Sequence, residues 1–296
     1  MPSLQRRNYP LFPIDLAWFG NDASSNYNAL QIKVEKRFGH GLQFLAHYTY
    51  SHANSFDSTY YDINPRVAYG PYPFSRNSVF VINTVYNLPV GRGQRFLGNG
   101  SRALDLAVGG WQVSNTLNWS SGLPCTPSIG KCGSITDAGP RRANFLSGQS
   151  INVVPRQVNG QWYEFVPLPA ISYNLTTAQV GTGSCALAQP TSGPPALPAC
   201  GTLGNARFNS FTGPSGLSSD FSLTKNFTIT ERVTAQFRFD AYNIFNHPVL
   251  GFNSNQGNTC LDCGGSAGKI TDIQADASPG SPNGMRQLQC GARVVF

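Results

Sequence analysis

From Arg232 to Phe245 the side chains change character at every second position. Val233, Ala235, Phe237, Phe239 and Ala241 fall on one side of an extended chain, and Thr234, Gln236, Arg238, Asp240 and Tyr242 on the other. A period of two belongs to a β-strand, because successive side chains point to opposite faces. The same period returns along the chain. Tyr27 to Arg37 sets Leu30, Ile32 and Val34 against Gln31, Lys33 and Glu35. Leu42 to His52 gathers Leu42, Phe44, Ala46, Tyr48 and Tyr50 on one face, opposite Gln43, His47, Thr49 and Ser51. Phe80, Ile82, Thr84, Tyr86 and Leu88 oppose a mixed face of Asn77, Asn83 and Asn87 with Val79, Val81 and Val85. Trp111, Val113, Leu117 and Trp119 oppose Gln112, Ser114, Thr116 and Asn118, while Phe221 and Leu223 oppose Asp220, Ser222 and Thr224. The last segment, Met285 to Phe296, carries Leu288, Cys290, Ala292, Val294 and Phe296 on one face and Gln287, Gln289, Gly291, Arg293 and Val295 on the other.

With a shorter apolar candidate at Ile14 to Phe19, the pattern predicts eight wall strands. They begin near Ile14, Tyr27, Leu42, Arg76, Leu104, Ser218, Arg232 and Met285. Turn formers separate them, with 31 Gly and 21 Pro in 296 residues. Many short strands with such turns define an all-β sandwich or barrel. Composition separates the two. Only 12% of residues are charged, about half the usual share, and 12% are aromatic. Sparse charge with abundant aromatics favours a wall that faces lipid over a soluble sandwich.

The connections point the same way. Gly39-His40-Gly41 and Thr228 to Glu231 are short turns, and Pro89 to Arg102 is a further turn. The segments after His52, Ser120 and Asn246 are long. Transmembrane barrels have short periplasmic turns and long outer loops. The expectation is one region over 1–296, part of an antiparallel transmembrane β-barrel. A long outer loop covers 122–216, with a hairpin near 151–166 around Asn159-Gly160, the strongest short hairpin signal. A second long loop covers 247–284. The chain ends on Phe296, which resembles the terminal strand that outer-membrane proteins present to the barrel-assembly machinery.

On this reading Phe80, Ile82, Tyr86, Phe237, Phe239 and Leu288 point to lipid, with Phe237 near mid-strand. Gln112, Thr116, Asp220, Gln236, Arg238, Asp240, Gln289 and Arg293 face the lumen. Trp111, Trp119, Tyr48, Tyr50 and Tyr86 are candidates for interfacial girdles. The inward Lys33, Glu35, Gln43, His47, Gln112, Gln236, Arg238 and Arg293 are long, polar or charged, and suit a wide lumen holding water or a plug. Cys125 with Cys132, Cys185 with Cys200, and Cys260 with Cys263 are close pairs within long loops, which suits disulfides in an oxidising exterior. Cys290, on the apolar face of the last strand, reads as a small hydrophobe.

Other functions find no support in the residues. The net charge of +7 is spread out, with no Lys/Arg run longer than two and no helix expected to carry a basic stripe, so nucleic acid is excluded as a partner. His40, His47, His52 and His247 have no metal-ligand spacing, and no catalytic constellation stands out. The expectation is a protein with no enzymatic activity, cofactor or metal. No apolar h-region of a signal peptide follows Met1. Since an outer-membrane protein needs one, Met1 is expected not to be the true beginning.

Six pieces, in order, resemble the C-terminal barrel region of TonB-dependent receptors, in the Oar-like group that carries a carboxypeptidase-regulatory-like N-terminal domain. They are Tyr27-Asn-Ala-Leu-Gln-Ile-Lys-Val-Glu-Lys-Arg-Phe38, Leu88-Pro-Val-Gly-Arg-Gly-Gln-Arg-Phe-Leu97, Gly109-Gly-Trp-Gln112, Ser121-Gly-Leu-Pro124, Lys225-Asn-Phe-Thr-Ile-Thr-Glu-Arg232 and Gln236-Phe-Arg-Phe-Asp-Ala-Tyr-Asn-Ile-Phe-Asn-His-Pro248. Cys125 to Gly204 matches poorly. The resemblance implies the outer membrane of a Gram-negative bacterium and a barrel of about 22 strands around a plug. It further implies ligand uptake driven by the TonB complex, with outer-membrane lipid and the barrel-assembly machinery as further partners. With about eight strands, no plug and no TonB box, the chain looks like a C-terminal fragment of such a receptor. The alternative is a surface structural or adhesive barrel without transport.

Overall fold

A computed structural model describes residues 23–56, 68–126, 156–163, 207–229, 233–251, 270, 272–273 and 284–295. The strands are β1 (Asn26–Gly39), β2 (Leu42–Phe56), β3 (Tyr69–Pro71), β4 (Ser78–Asn87), β5 (Trp111–Ser120), β6 (Pro124–Cys125), β7 (Arg156–Val158), β8 (Gln161–Tyr163), β9 (Phe211–Thr212), β10 (Gly216–Thr228), β11 (Thr234–Tyr242), β12 (Leu250–Gly251), β13 (Asp272–Ile273) and β14 (Gln287–Val295). One helix, α1 (Arg102–Val108), lies between β4 and β5.

Seven long strands form one sheet in the order β1-β2-β4-β5-β10-β11-β14, with short β3 added at the end of β2. Every pairing in it is antiparallel. Neighbours in sequence are neighbours in the sheet, so the chain runs up and down as a meander. Among the described residues β1 and β14 are its two open edges. The short pairs β6-β9, β7-β8 and β12-β13 all belong to the connections after β5 and β11.

The register carries the two-residue period across the whole sheet. Residues opposite each other in neighbouring strands share a face. One row runs Ile32, Tyr48, Phe80, Trp119, Leu217; the next runs Val34, Ala46, Ile82, Leu117, Ser219. Below them run Phe44, Thr84, Asn115, Phe221, Ala241, Leu288, and then Leu42, Tyr86, Val113, Leu223, Phe239, Cys290. The last full row is Trp111, Lys225, Phe237, Ala292. These rows make a continuous apolar face, with Lys36, Asn115, Ser219 and Lys225 among its few polar members.

Among the described residues most of that face has no protein layer over it, with Ser219, Lys225 and Ala241 as its buried members. Leu30, Ile32, Val34, Tyr50, Trp119, Phe237, Leu288 and Val294 are all exposed. The buried hydrophobic residues among those described are only Ala68, Phe211, Ala241, Val249 and Ile270, and the largest side chain fully buried is that of Ser219. A soluble sheet hides its apolar face in a core, and water-soluble monomers rarely leave so broad an apolar patch open. Here most of the buried side chains among the described residues are polar: Ser51, Ser218, Thr224 and Asp240 on the polar face, Ser219 and Lys225 on the other, and Asn209 and Asn243 beyond the strands. The sheet is apolar outside and polar inside, which is the arrangement of a wall in lipid. No helix among the described residues is long and apolar enough to cross a membrane.

The strand expected to begin near Leu104 is corrected. Leu104 to Val108 belong to α1, and β5 begins at Trp111. Ser101 caps the helix, its hydroxyl accepting the Leu104 amide at 3.3 Å, and the Gly109 amide closes the last turn on Asp105 O. Pro89 to Arg102 is likewise more than a turn, since Val90 bridges to Phe96 before the helix starts. Residues 53–56 and 69–71, read as loop, are strand: β2 runs on to Phe56 and pairs with β3. The candidate at Ile14 to Phe19 lies outside the described residues. The Asn159-Gly160 pair joins β7 to β8 with φ of 50° and 80°, the left-handed geometry of a two-residue hairpin turn.

Candidate functional site

The polar face of β5, β10, β11 and β14 gathers Gln112, Thr116, Asp220, Gln236, Arg238, Asp240, Gln289 and Arg293 on one side of the sheet. Across strands Gln112 stands opposite Thr224, Thr116 opposite Asp220, and Gln236 opposite both Asn226 and Arg293. Asp240 stands between Ser222 and Gln289, and Arg238 between Thr224 and Gly291.

The side chains tie to one another along the wall. Arg238 Nε donates to Asp240 Oδ1 at 2.8 Å and, more weakly, to Ser222 Oγ at 3.3 Å. Gln236 Nε2 donates to Asn226 Oδ1 at 2.9 Å. Thr116 Oγ1 donates to Asn83 Oδ1 at 2.9 Å, and Gln112 Nε2 to Asn87 Oδ1 at 2.8 Å. The Asp240 carboxylate is 11% exposed and its Arg238 partner 55% exposed. The acid is therefore fixed in the wall while the guanidinium reaches outward from it. Opposite Arg238, Gly291 has no side chain, and a Cβ there would meet nothing within 4 Å. Among the described residues nothing stands directly against this part of the sheet.

The end of the sheet beside the long connections is clamped by Asn243. Its Nδ2 donates to Gly284 O at 2.7 Å and His247 O at 3.1 Å, and its Oδ1 accepts the His247 amide at 3.1 Å. Its own amide donates to Asp220 Oδ1 at 2.9 Å. Asn243 and Asn246 take the left-handed conformation, with φ of 49° and 50°, which Asn tolerates better than most residues. At the same end Arg76 donates from Nη1 to Ser120 Oγ at 3.1 Å and to Ser121 O at 2.5 Å. Burial pushes the Arg76 guanidinium below its usual pKa.

Sequence reasoning placed the eight polar-wall residues and missed Asn243, Asn226, Arg76 and Lys225. Asn83 and Asn87 were visible as the polar members of a mixed face. Lys225 gave a different signal, a cation in an apolar row. It is buried against the end of α1, where Nζ donates to Ala107 O at 3.3 Å and to Gly109 O. It also lies over the rings of Trp111 at 5.2 Å and Phe227 at 5.1 Å.

The candidate girdle aromatics Tyr48, Tyr50, Tyr86, Trp111 and Trp119 share the apolar face. Tyr48, Tyr50 and Trp119 stand toward the long connections, and Tyr86 and Trp111 toward the short turns. Trp111 and Trp119 are about 27 Å apart along the strand at the ordinary rise per residue. With the usual strand tilt of about 35–45° that separation covers about 19–22 Å of the membrane normal, which places both residues inside a lipid-facing band of about 25 Å, near its margins. The row between them, Phe44 to Leu288, marks the middle. Phe237, the fourth of the nine residues of β11, is near mid-strand as expected, and its row is that of Trp111 and Lys225, on the short-turn side of the middle row.

Of the cysteines, Cys125 lies in β6 beside Phe211, and Cys290 on the apolar face is an exposed thiol. Cys132, Cys185, Cys200, Cys260, Cys263 and the terminal Phe296 lie outside the described residues, and so do the three expected disulfides. His40 is in the first turn, His47 and His52 lie on opposite faces of β2, and His247 is at the base of the last long connection.

A meander of antiparallel strands, apolar outside and polar inside, with aromatic rows at both margins, defines a transmembrane β-barrel wall. The sequence profile of the family described as outer membrane beta barrel domain matches residues 2–289, and the chain belongs to that family. It is a protein of the Gram-negative outer membrane. No curated protein and no solved structure matches the chain.

Proposed function

We propose that this chain forms part of the wall of a TonB-dependent receptor of the Oar-like group, and that its polar face lines a wide lumen through which a ligand is taken up. The observation that carries the reading is the open space before that face. In a small closed barrel the inward side chains fill the interior. Here Arg238 is half exposed and, among the described residues, nothing lies within 4 Å of a Cβ at Gly291. Long polar groups with room before them suit a lumen that holds water, a ligand and a plug. The six pieces quoted above support the group. On this reading the wall's other partners are lipid, the barrel-assembly machinery and, through the plug, the TonB complex; no catalysis is assigned to it.

Orientation follows from the connections. One edge holds the two short turns, at His40-Gly41 and where the Ile229 amide meets Val233 O, together with the α1 segment, and is periplasmic; the two longest connections, after β5 and β11, are outside. The exposed aromatic pair Tyr72 and Phe74, with ring centroids 5.9 Å apart, stands at the outer edge. It is the observation that favours the second reading, a surface or adhesive barrel whose loops bind partners without transport.

A photo-crosslinker placed by turns at positions 236, 238 and 240, and at 237 and 239, separates the readings in outer membranes of cells expressing the gene product. The even positions should capture a plug domain and the odd ones lipid. Even positions that give no protein adduct and react freely with a water-soluble reagent would point to an open or adhesive barrel. Loss of the even–odd difference would remove the lumen assignment itself.

A further inference from the structure

We infer that the segment between β4 and β5, ending in α1, is an interfacial anchor that binds anionic phospholipid of the periplasmic leaflet. It rests on the orientation just given.

Position is the first argument. The end of α1 is fastened to the apolar side of the wall. Trp111 Nε1 donates to Ala107 O at 3.2 Å, and Lys225 Nζ donates to Ala107 O and Gly109 O. Both side chains belong to the apolar row at the rim. Arg102 Nη2 donates to Ile229 O at 3.0 Å and ties the start of the helix to the next turn. The helix end is therefore held on the lipid side, where the sheet's apolar rows end and headgroups begin.

Composition is the second. Phe96, Leu97, Leu104 and Leu106 are exposed. Arg92, Arg95 and Arg102 lie among them and are exposed too, with the Arg95 guanidinium 5.6 Å from the centre of the Phe96 ring. Asp105 is the segment's only acid, and its Oδ1 accepts the Arg92 amide at 2.6 Å. Apolar side chains beside unneutralised cations match acyl chains beneath phosphate headgroups. The patch continues the lipid face, so its occupant is lipid.

The third argument is rigidity. A Cβ at Gly91 would sit 2.5 Å from Asp105 Oδ1 and 2.7 Å from Gly109 Cα, so the loop closes tightly on the helix end. Phe96 donates its amide to Pro89 O at 3.0 Å, and Gly91 its amide to Phe96 O at 3.0 Å. The patch is held ready before lipid arrives.

The test uses the full chain in phosphatidylcholine vesicles with a trace of dansyl-labelled phosphatidylglycerol, or of dansyl-labelled phosphatidylcholine. Energy transfer from tryptophan reads enrichment of the label at the protein. The anionic label should be enriched and the zwitterionic one not. The R92Q/R95Q variant should lose about fivefold in apparent affinity per arginine, equivalent to about 1 kcal/mol each. R92K/R95K should retain most of it, and excess soluble glycerol phosphate should not compete. Equal enrichment of both labels, unchanged binding by R92Q/R95Q, or full competition by glycerol phosphate would overturn the anchor. Membrane insertion is read separately, by retention on the vesicles through urea extraction. A chain that stays but shows no enrichment overturns the anchor alone; a chain that washes off overturns the orientation and the anchor together.

Discussion

Asn243 does more for this wall than its single position in the sequence suggests. Its side chain makes three hydrogen bonds, and its backbone occupies a conformation that costs an ordinary residue about 1–2 kcal/mol. Asn243→Ala strands the carbonyl of Gly284 and adds that strain. The expected loss is about 2–4 kcal/mol, from the desolvation of unpaired groups and the backbone term together. Chemical denaturation in vesicles measures it, with Asn243→Gly as the variant that relieves the strain and keeps the hydrogen-bond loss. A second residue-scale prediction follows from the rows of Phe221 and Phe237. Phe221 is in the middle row and Phe237 in the rim row beside Lys225. Phe221→Arg should cost about 2–4 kcal/mol, and Phe237→Arg about 0–1, because the penalty falls toward the interface. Equal costs at the two sites would contradict the placement of the lipid band. Asn115 is one of three polar residues in that row, with Thr84 and Lys36. It is tolerated because its Nδ2 donates to Ser219 Oγ at 2.8 Å and Asp220 O at 3.0 Å, leaving no donor for the lipid to desolvate.

At the scale of elements, the strands were legible and α1 was not, for one physical reason. A strand in a two-faced wall must alternate, so alternation finds it. In Leu104-Asp-Leu-Ala-Val108 the apolar residues also fall at every second position, and the segment imitates a strand. The signals that decide it are local: Ser101 three residues before Leu104, and Gly109-Gly110 after Val108. Capping chemistry outweighs periodicity over so short a stretch. The polar wall was legible from the same alternation. Lys225 was not, because its partners are backbone carbonyls of α1, which no sequence pattern displays. Turn chemistry gives the element-scale prediction. Gly41 has φ of 78°, and a Cβ there would come 2.6 Å from Asn87 O, where the Asn87 amide already donates to Gly41 O at 2.8 Å. Gly93 has φ of 74° with nothing within 4 Å. Gly93→Ala should show only the left-handed strain, about 1–2 kcal/mol. Gly41→Ala should cost clearly more, since the β1–β2 turn must also move off β4. Denaturation midpoints compare the two, and a larger loss at Gly93 would mean that the first turn is not packed against Asn87.

For the whole molecule the question is closure. Lipid tolerates no unpaired backbone, so a strand edge in a bilayer must find a partner. Among the described residues β1 and β14 are both edges, and each carries the apolar face through to its margin. A barrel made by joining these two directly would have seven long strands, and its inward Lys33, Glu35, Gln236, Arg238 and Arg293 would have to pack a narrow interior. The ion pair of Lys33 with Glu35, at 3.0 Å, has both side chains well exposed, which fits an aqueous lumen and not a packed one. The wall is therefore expected to continue beyond β1 before it closes on β14. Cys290 provides a direct test, as it stands on the apolar face of β14. With the other six cysteines changed to serine and a cysteine placed by turns at Leu30, Ile32, Val34 and Lys36 on the apolar face of β1, so that the possible registers are sampled, mild oxidation should give no intramolecular disulfide at any of them. Strands paired side by side hold facing Cα atoms at about 4.5–5.5 Å, within disulfide reach. A disulfide formed in high yield, together with a heat-modifiable monomer on gels, would mean that these strands close on one another and that the lumen is narrow. Absence of the bond in protein that still resists urea extraction would place further strands between β1 and β14, as a wide, plugged barrel requires.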